Sequence, residues 1–184
     1  MKRSVLALAA AGLALLAAAP VSAQQKPAAA PAAGTAPAPS QPAATTATYQ
    51  DWMLRCVAQD ESARTCEIVQ NLQVQGQGVV ASIAVGRADP KAPVSVVVQL
   101  PPGVWLPAGV KLQVDEKAKP IALEFKRCLQ SCFAEATLDA ATLQQMRAAG
   151  GPGSFTFENG ARRATTLPVS FKGFAPALDA GVKS

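Results

Sequence analysis

Short runs of alternating apolar and polar residues fill the chain from about residue 48 onward. In the clearest run, Val110, Leu112 and Val114 alternate with Lys111 and Gln113. This period of two predicts a strand with one buried face. Residues typical of turns interrupt the pattern about every ten residues. The predicted strands cover residues 48–56, 66–74, 79–86, 94–100, 104–106, 110–115, 121–128, 132–138, 154–158 and 165–171.

One segment has the pattern of a helix instead. Asp139 is a typical N-cap residue, and it precedes the helix-forming stretch 140–149. The glycines and proline of 150–153 then predict its end. We expect residues 173–178 to pack at the end of the domain, and 140–149 is the only helix that we predict. Many short strands and one short helix predict an all-β domain, an antiparallel β-sandwich or a barrel-like fold. The alternation indicates that each sheet buries one face and exposes the other.

The N-terminal part has a different composition. Lys2 and Arg3 precede an apolar run, and small residues at 21–23 resemble a cleavage site. We therefore predict a signal peptide at 1–23 rather than a membrane anchor, because the run is shorter than a spanning helix requires. Residues 24–47 are rich in Ala and Pro and are predicted to be a disordered linker. The domain itself covers 48–178, and a tail covers 179–184.

Composition excludes several classes of function. The chain has 17 Lys+Arg and 12 Asp+Glu, so removing Lys2 and Arg3 leaves 15 against 12, a mild excess. No basic stripe with interleaved aromatic residues is present, so we expect no binding of nucleic acid. The chain has no histidine, which rules out Ser-His-Asp and Cys-His catalysis. No stretch after the signal peptide is long and apolar enough to span a membrane, and no cofactor is predicted.

Four cysteines, Cys56, Cys66, Cys128 and Cys132, allow three sets of two disulfides. We favour the two local pairings, 56–66 and 128–132. A redox-active pair normally has two intervening residues and a helix after the first thiol, whereas here three residues intervene and a strand follows. Zinc is also disfavoured, since the spacings of nine and three intervening residues fit zinc knuckles poorly.

The two tryptophans receive different interpretations. Trp52 lies close to Cys56 and is interpreted as a core ring packed on that disulfide. Trp105 lies between Pro-Pro-Gly and Pro-Ala-Gly, so it is expected near a loop. Core packing is favoured for Trp105 because aromatic area is usually buried. The alternative is an exposed contact anchor for a partner.

Four stretches resemble the invasion-associated locus B family of exported bacterial proteins. They are Trp52 with Cys56 and Cys66, the run 100–115, the stretch 128–139, and the end of the domain, 167–178. Ser131 departs from the family pattern, in which glycine often precedes the second cysteine. The resemblance implies a periplasmic or secreted protein with a role in invasion of host cells for some members. It implies no catalytic residue.

These observations predict an exported, non-enzymatic binding module of the bacterial envelope, with an unknown envelope or host protein as partner. Two alternatives remain at this point. An envelope hydrolase would use paired carboxylates, with candidates among Asp115, Glu116, Glu124 and Glu135, although a solvated surface is favoured for each. A thiol-disulfide factor would use Cys128 and Cys132.

Overall fold

The structure is a computed structural model that describes residues 43–59, 64–74 and 76–182. These residues form ten strands and two α-helices. The predicted signal peptide and residues 24–42 of the predicted linker lie outside the described residues. The strands are β1 Ala44–Tyr49, β2 Trp52–Ala58, β3 Arg64–Val74, β4 Gly78–Gly86, β5 Ser95–Leu100, β6 Val110–Gln113, β7 Ile121–Cys128, β8 Cys132–Thr137, β9 Gly153–Glu158 and β10 Ala164–Val169. The helices are α1 Ala140–Ala148 and α2 Phe174–Val182.

All ten strands join one open sheet in the order β1-β2-β3-β4-β5-β8-β7-β6-β9-β10. Every neighbouring pair is antiparallel. β7 serves two neighbours: its first residues pair with β6, and its later residues pair with β8 across an irregularity between Phe125 and Arg127. The predicted all-β antiparallel class is confirmed, in the form of an open sheet rather than a closed barrel.

The core follows the alternation that the sequence shows. On β4 the buried residues are Ala81, Ile83 and Val85, and on β5 they are Val96, Val98 and Leu100. Their neighbours in sequence lie on the other face of the sheet, because successive side chains of a strand point to opposite faces. The period of two therefore marked the inner face of these central strands correctly.

The C-terminal segment differs from the prediction, because 174–182 is a helix. The sequence analysis expected one helix and a tail from 179. Phe174, Ala177, Leu178 and Gly181 are buried, which is the helical spacing i, i+3, i+4, i+7. Pro176 is tolerated because it lies in the first turn. A signal for this helix was therefore present in the sequence.

β1 also differs from the prediction, since it begins at Ala44, inside the range predicted to be linker. Its residues are mostly exposed and polar, and its six residues pair in register with β2. Backbone hydrogen bonds can recruit a polar segment to a sheet edge without any apolar pattern, which explains why composition placed the boundary too late. α1 lies where it was predicted, and the Asp139 side chain accepts a hydrogen bond from the Thr142 backbone N–H at 2.7 Å.

A set of contacts that we call the seam joins β10 to β2 and β3 without a strand ladder. The carbonyl of Ser170, just after β10, accepts hydrogen bonds from Trp52 Nε1 at 2.8 Å and Gln70 Nε2 at 2.9 Å. Gln70 Oε1 in turn accepts from the Ser170 N–H at 2.9 Å. Phe174 of α2 packs edge-on against Trp52, with ring centroids 5.1 Å apart. The seam thus covers the inner face of β2 and β3.

Candidate binding surface

Five chain connections lie at one end of the sheet, and we call the surface formed by four of them the rim. The fifth, the β1–β2 turn with Asp51, instead contacts the segment after β10, since the Asp51 N–H donates to the Lys172 carbonyl. The rim consists of Val74 with 76–79, the β5–β6 connection 101–109, the β7–β8 turn 129–131, and the β9–β10 loop 159–163. Contacts join the parts: Val79, Pro102 and Ser131 line one groove, and Val104 forms a single antiparallel bridge with Asn159.

Exposed apolar side chains are concentrated on the rim. The described residues contain five large hydrophobic side chains that are exposed, and four belong to the rim: Val74 (36%), Val79 (55%), Leu106 (44%) and Leu129 (85%). The fifth, Val57, lies at the end of β2. Single exposed apolar residues are common on proteins, but here four of the five share one end of the sheet.

Trp105 lies on the rim and is half-buried. Its backbone N–H donates to the Glu158 carbonyl at 2.8 Å. The Arg162 guanidinium carbon lies 4.2 Å from the centroid of the Trp105 ring, in a cation–π arrangement. Trp105 is therefore neither a fully buried core ring nor a freely exposed one, and its role as a contact anchor stays a prediction.

The local structure around Trp105 also differs from the predicted short run 104–106. Only Val104 makes a strand-like bridge, and Leu106–Ala108 forms a 3-10 turn. Pro107 favours this turn because its φ is already close to the helical value and its missing N–H would be unbonded there. Leu106 is consequently presented outward from the turn.

The β9–β10 connection, 159–163, is organised around one side chain. The Asn159 side chain accepts hydrogen bonds from the N–H groups of Ala161 and Arg163, each at 3.0 Å, and folds the loop 159–163 around itself. Gly160 approaches the Gly103 carbonyl so closely that a Cβ at position 160 would lie 2.9 Å from the Gly103 oxygen. This approach brings Arg162 to Trp105.

The two disulfides join the pairs that the sequence analysis favoured. Cys128 and Cys132 face each other at the ends of β7 and β8, with Cα atoms 4.0 Å apart. The Leu129 N–H donates to the Ser131 carbonyl at 3.0 Å, so the exposed Leu129 is held on a small closed ring. The cystine Cys56–Cys66, also with Cα atoms 4.0 Å apart, is buried between β2 and β3. One disulfide thus supports the rim and the other the core.

A shallow groove of about 350 Å³ lies within the rim. Apolar residues of two connections border it, and Gln130 and Ser131 border it on a third side. Gln99 reaches along the groove, donating from Nε2 to Ser131 Oγ at 3.1 Å. The groove therefore has a mixed lining, and the exposed Leu106 and Leu129 lie outside it.

Charge is distributed unevenly between the two ends of the sheet. The rim segments contain Arg162 and Arg163 and no Asp or Glu, and Arg127 lies beside them at the end of β7. Its guanidinium carbon is 4.3 Å from the Phe133 ring centroid. The connections at the opposite end carry both signs, with Asp89, Asp115, Glu116 and Asp139 beside the cations Arg87, Lys91, Lys117 and Lys119. The rim is therefore both apolar and cationic.

A second concavity, of about 460 Å³, lies on the outer face of the sheet. Its floor consists of small residues of β4 and β5, among them Ala84, Gly86 and Ser95. Arg55 and Glu67, which form an ion pair, border one side. This groove has a mixed lining without an exposed large aromatic or aliphatic anchor except Val57.

The carboxylates proposed for a hydrolase do not form a convincing acid–base pair. Glu124 and Glu135 are directly opposite on β7 and β8, but Lys126 Nζ lies 2.7 Å from Glu124 Oε2 on the exposed face. The hydrogen bond from Lys126 holds the pKa of Glu124 below its ordinary value, whereas a general acid needs a raised pKa. The other two candidates, Asp115 and Glu116, lie in the β6–β7 turn. Among the described residues, no group of His, Cys, Asp and Glu has the arrangement of a metal site.

Comparison with known proteins places this geometry in a family. A model of the family described as "Invasion associated locus B (IalB) protein" matches residues 52–181. The chain belongs to the invasion associated locus B family. Two curated proteins of Brucella abortus, each named invasion protein B homolog, from strain 2308 and from biovar 1 strain 9-941, are 30% identical to it over 138 residues, covering 72% of this chain and 76% of each relative.

The locus B fold is also found among solved structures. The crystal structure of invasion associated protein B from Bartonella henselae matches with a TM-score of 0.66 and 22% identity, covering 76% of this chain and 95% of that chain. The predicted family is thereby confirmed, and the chain is an invasion-related protein at the level of its family. In the described part of this locus B protein, neither helix is long and apolar enough to cross a membrane.

Proposed function

We propose that this protein is an exported, non-enzymatic binding module that contributes to host-cell invasion by docking its rim onto a partner surface. The observation that carries the proposal is the concentration of exposed apolar side chains on the rim, where four of the five described examples lie. Removing such valines and leucines from water on docking is favourable, at about 25 cal/mol per Å² of apolar surface buried. The names of the Brucella and Bartonella relatives support a role in invasion.

Two features support export. The N-terminal pattern of 1–23 is typical of a signal peptide, and both disulfides suit an oxidising compartment outside the cytoplasm. The periplasm and the cell exterior both meet this condition. We propose a position in the envelope, reached after the signal peptide is removed.

The test is an entry assay with the bacterium that carries the gene. A deletion strain is complemented with the wild-type chain, with the double variant Val79→Ser/Leu129→Ser, or with the control Val57→Ser, which changes an exposed valine away from the rim. We expect the deletion and the double variant to reduce entry into cultured host cells, and the control to restore it. Unchanged entry in the deletion strain would contradict the invasion role. Full rescue by the double variant would contradict the role of the rim.

A further inference from the structure

We infer that the rim docks on an anionic lipid surface, with its apolar side chains entering the headgroup region. This inference rests on the proposed function and names the partner of the same surface. The sequence analysis expected a protein partner. Three properties of the rim favour a bilayer instead: the separate projecting apolar side chains, the arginines without carboxylates, and the tryptophan between them.

The apolar side chains project from separate connections rather than lining one pocket. Leu129 stands on the disulfide ring, Val79 on the β3–β4 hairpin, and Leu106 on the 3-10 turn. The groove at the rim is lined by Val79 but by neither Leu106 nor Leu129, and its lining includes the polar side chains of Gln99 and Ser131. A protein anchor normally fills a complementary pocket, whereas a bilayer interface accepts projecting apolar side chains to a depth of about 5–10 Å.

The charges of the rim match an anionic surface. Arg162 and Arg163 lie within the rim segments, which contain no carboxylate to repel phosphate groups. At the adjoining strand ends, Arg127 of β7 is matched by Glu158 of β9. The connections at the opposite end mix both signs, since Arg87, Lys91, Lys117 and Lys119 accompany Asp89, Asp115, Glu116 and Asp139. The rim segments are therefore the ones that present cations without carboxylates to an anionic surface.

Trp105 lies where such a surface would begin. Its half-buried ring is stacked by Arg162, next to the exposed Leu106. Tryptophan is enriched at the boundary between headgroups and hydrocarbon because it combines a large apolar ring with a polar N–H. The disulfide ring of Leu129 and the Asn159-centred loop hold these groups in place before contact, which reduces the entropy lost on docking.

The experiment is co-sedimentation with vesicles of phosphatidylcholine, prepared with or without phosphatidylglycerol. It uses the chain recovered from the bacterium, whose N-terminus is determined by mass spectrometry. The rim double variant Arg162→Gln/Arg163→Gln is compared with Lys117→Gln/Lys119→Gln, which removes the same charge from the opposite end. We expect the rim variant to weaken binding to phosphatidylglycerol vesicles about 30-fold, since each cation contributes about a factor of five. The control should change it less than threefold.

A second variant separates apolar insertion from charge. Leu129→Ser should weaken vesicle binding about tenfold, while Val57→Ser should leave it unchanged. Absence of wild-type binding to phosphatidylglycerol vesicles would overturn the inference, as would equal losses in the two charge variants. If wild type ignores vesicles while Val79→Ser/Leu129→Ser still abolishes host-cell entry, the partner of the rim is a protein: the lipid inference fails and the proposed function stands.

Discussion

The two tryptophans of this chain lie in opposite kinds of environment. Trp52 is fully buried in the seam, donates its indole N–H to Ser170 and contacts Phe174. Trp105 lies half-buried on the rim beneath Arg162. One disulfide is buried between β2 and β3, the strands that the seam covers, and the other closes the β7–β8 turn at the rim, where Cys128 is exposed. The same residue types therefore hold the fold together in one region and present a surface in the other.

The largest expected difference between the regions is in stability. Trp52→Ala should reduce the free energy of unfolding by about 3–5 kcal/mol, because it leaves a cavity and removes a hydrogen bond. Trp105→Ala should reduce it by about 1 kcal/mol, because the ring is half-buried and its partner is an exposed arginine. Urea unfolding of both variants measures the difference. Equal losses would show that the rim is part of the stabilising core.

Removal of each disulfide in turn should also distinguish the role of the core from that of the rim. The Cys56→Ala/Cys66→Ala variant opens the longer loop and should lose about 3 kcal/mol by chain-entropy estimates. The Cys128→Ala/Cys132→Ala variant should lose about 2 kcal/mol on the same basis. Only the second should also weaken vesicle binding, because it releases the ring that holds Leu129. Weaker vesicle binding in the first variant at a temperature where it is still folded would contradict the separation of the two regions.

Substitution of Gln70 measures how much the polar contacts of the seam contribute to the free energy of unfolding. Gln70→Ala should reduce stability by about 2–3 kcal/mol, because the Ser170 N–H loses its partner and the Ser170 carbonyl loses one of two donors in a part-buried site. The matched control is Gln73→Ala on the same strand, at an exposed position, where a change within about 0.5 kcal/mol is expected. Thermal or urea melts compare the two. A neutral Gln70→Ala would mean that the seam is held by apolar packing only.

The smallest expected effect is a pH dependence of stability that comes from the N-cap of α1, the helix that packs beside α2. The hydrogen bond from the Thr142 N–H holds the pKa of Asp139 below its ordinary value. Asp139 therefore stabilises the fold above the unfolded pKa, and this contribution is lost as the pH falls through the lowered folded pKa. Asp139→Asn keeps a capping side chain but does not titrate. The difference in Tm between wild type and this variant should shrink in acid; a constant difference would contradict the assignment.

The sequence predicted the fold well where periodicity and caps were strong. The alternating strands, the Asp139 cap and both local disulfides need only short-range information, and family motifs identified the relatives. α2 was missed because Pro176 and small residues concealed a helical spacing of Phe174, Ala177, Leu178 and Gly181. β1 was missed because an edge strand held by backbone hydrogen bonds needs no apolar residues.

The rim was only partly predictable. The prolines on either side of Trp105 predicted a position near a loop. No local pattern predicted that Leu129 is exposed, although it lies inside the motif Cys128–Cys132. Val79 and Arg162 are 83 positions apart in sequence, since 162 − 79 = 83. They reach the same end of the molecule only through the strand order, which places β8 and β7 between β5 and β6. Local patterns contain no information on that order.

The most direct measurement is quenching of tryptophan fluorescence by vesicles containing phosphatidylglycerol and brominated lipid. Wild type should be quenched in part, because Trp105 enters the headgroup region while Trp52 stays buried in the seam. Trp105→Phe, which leaves only Trp52, should bind the same vesicles without quenching. Quenching that persists in Trp105→Phe, or its absence in vesicle-bound wild type, would contradict the account of the rim as the membrane-facing surface.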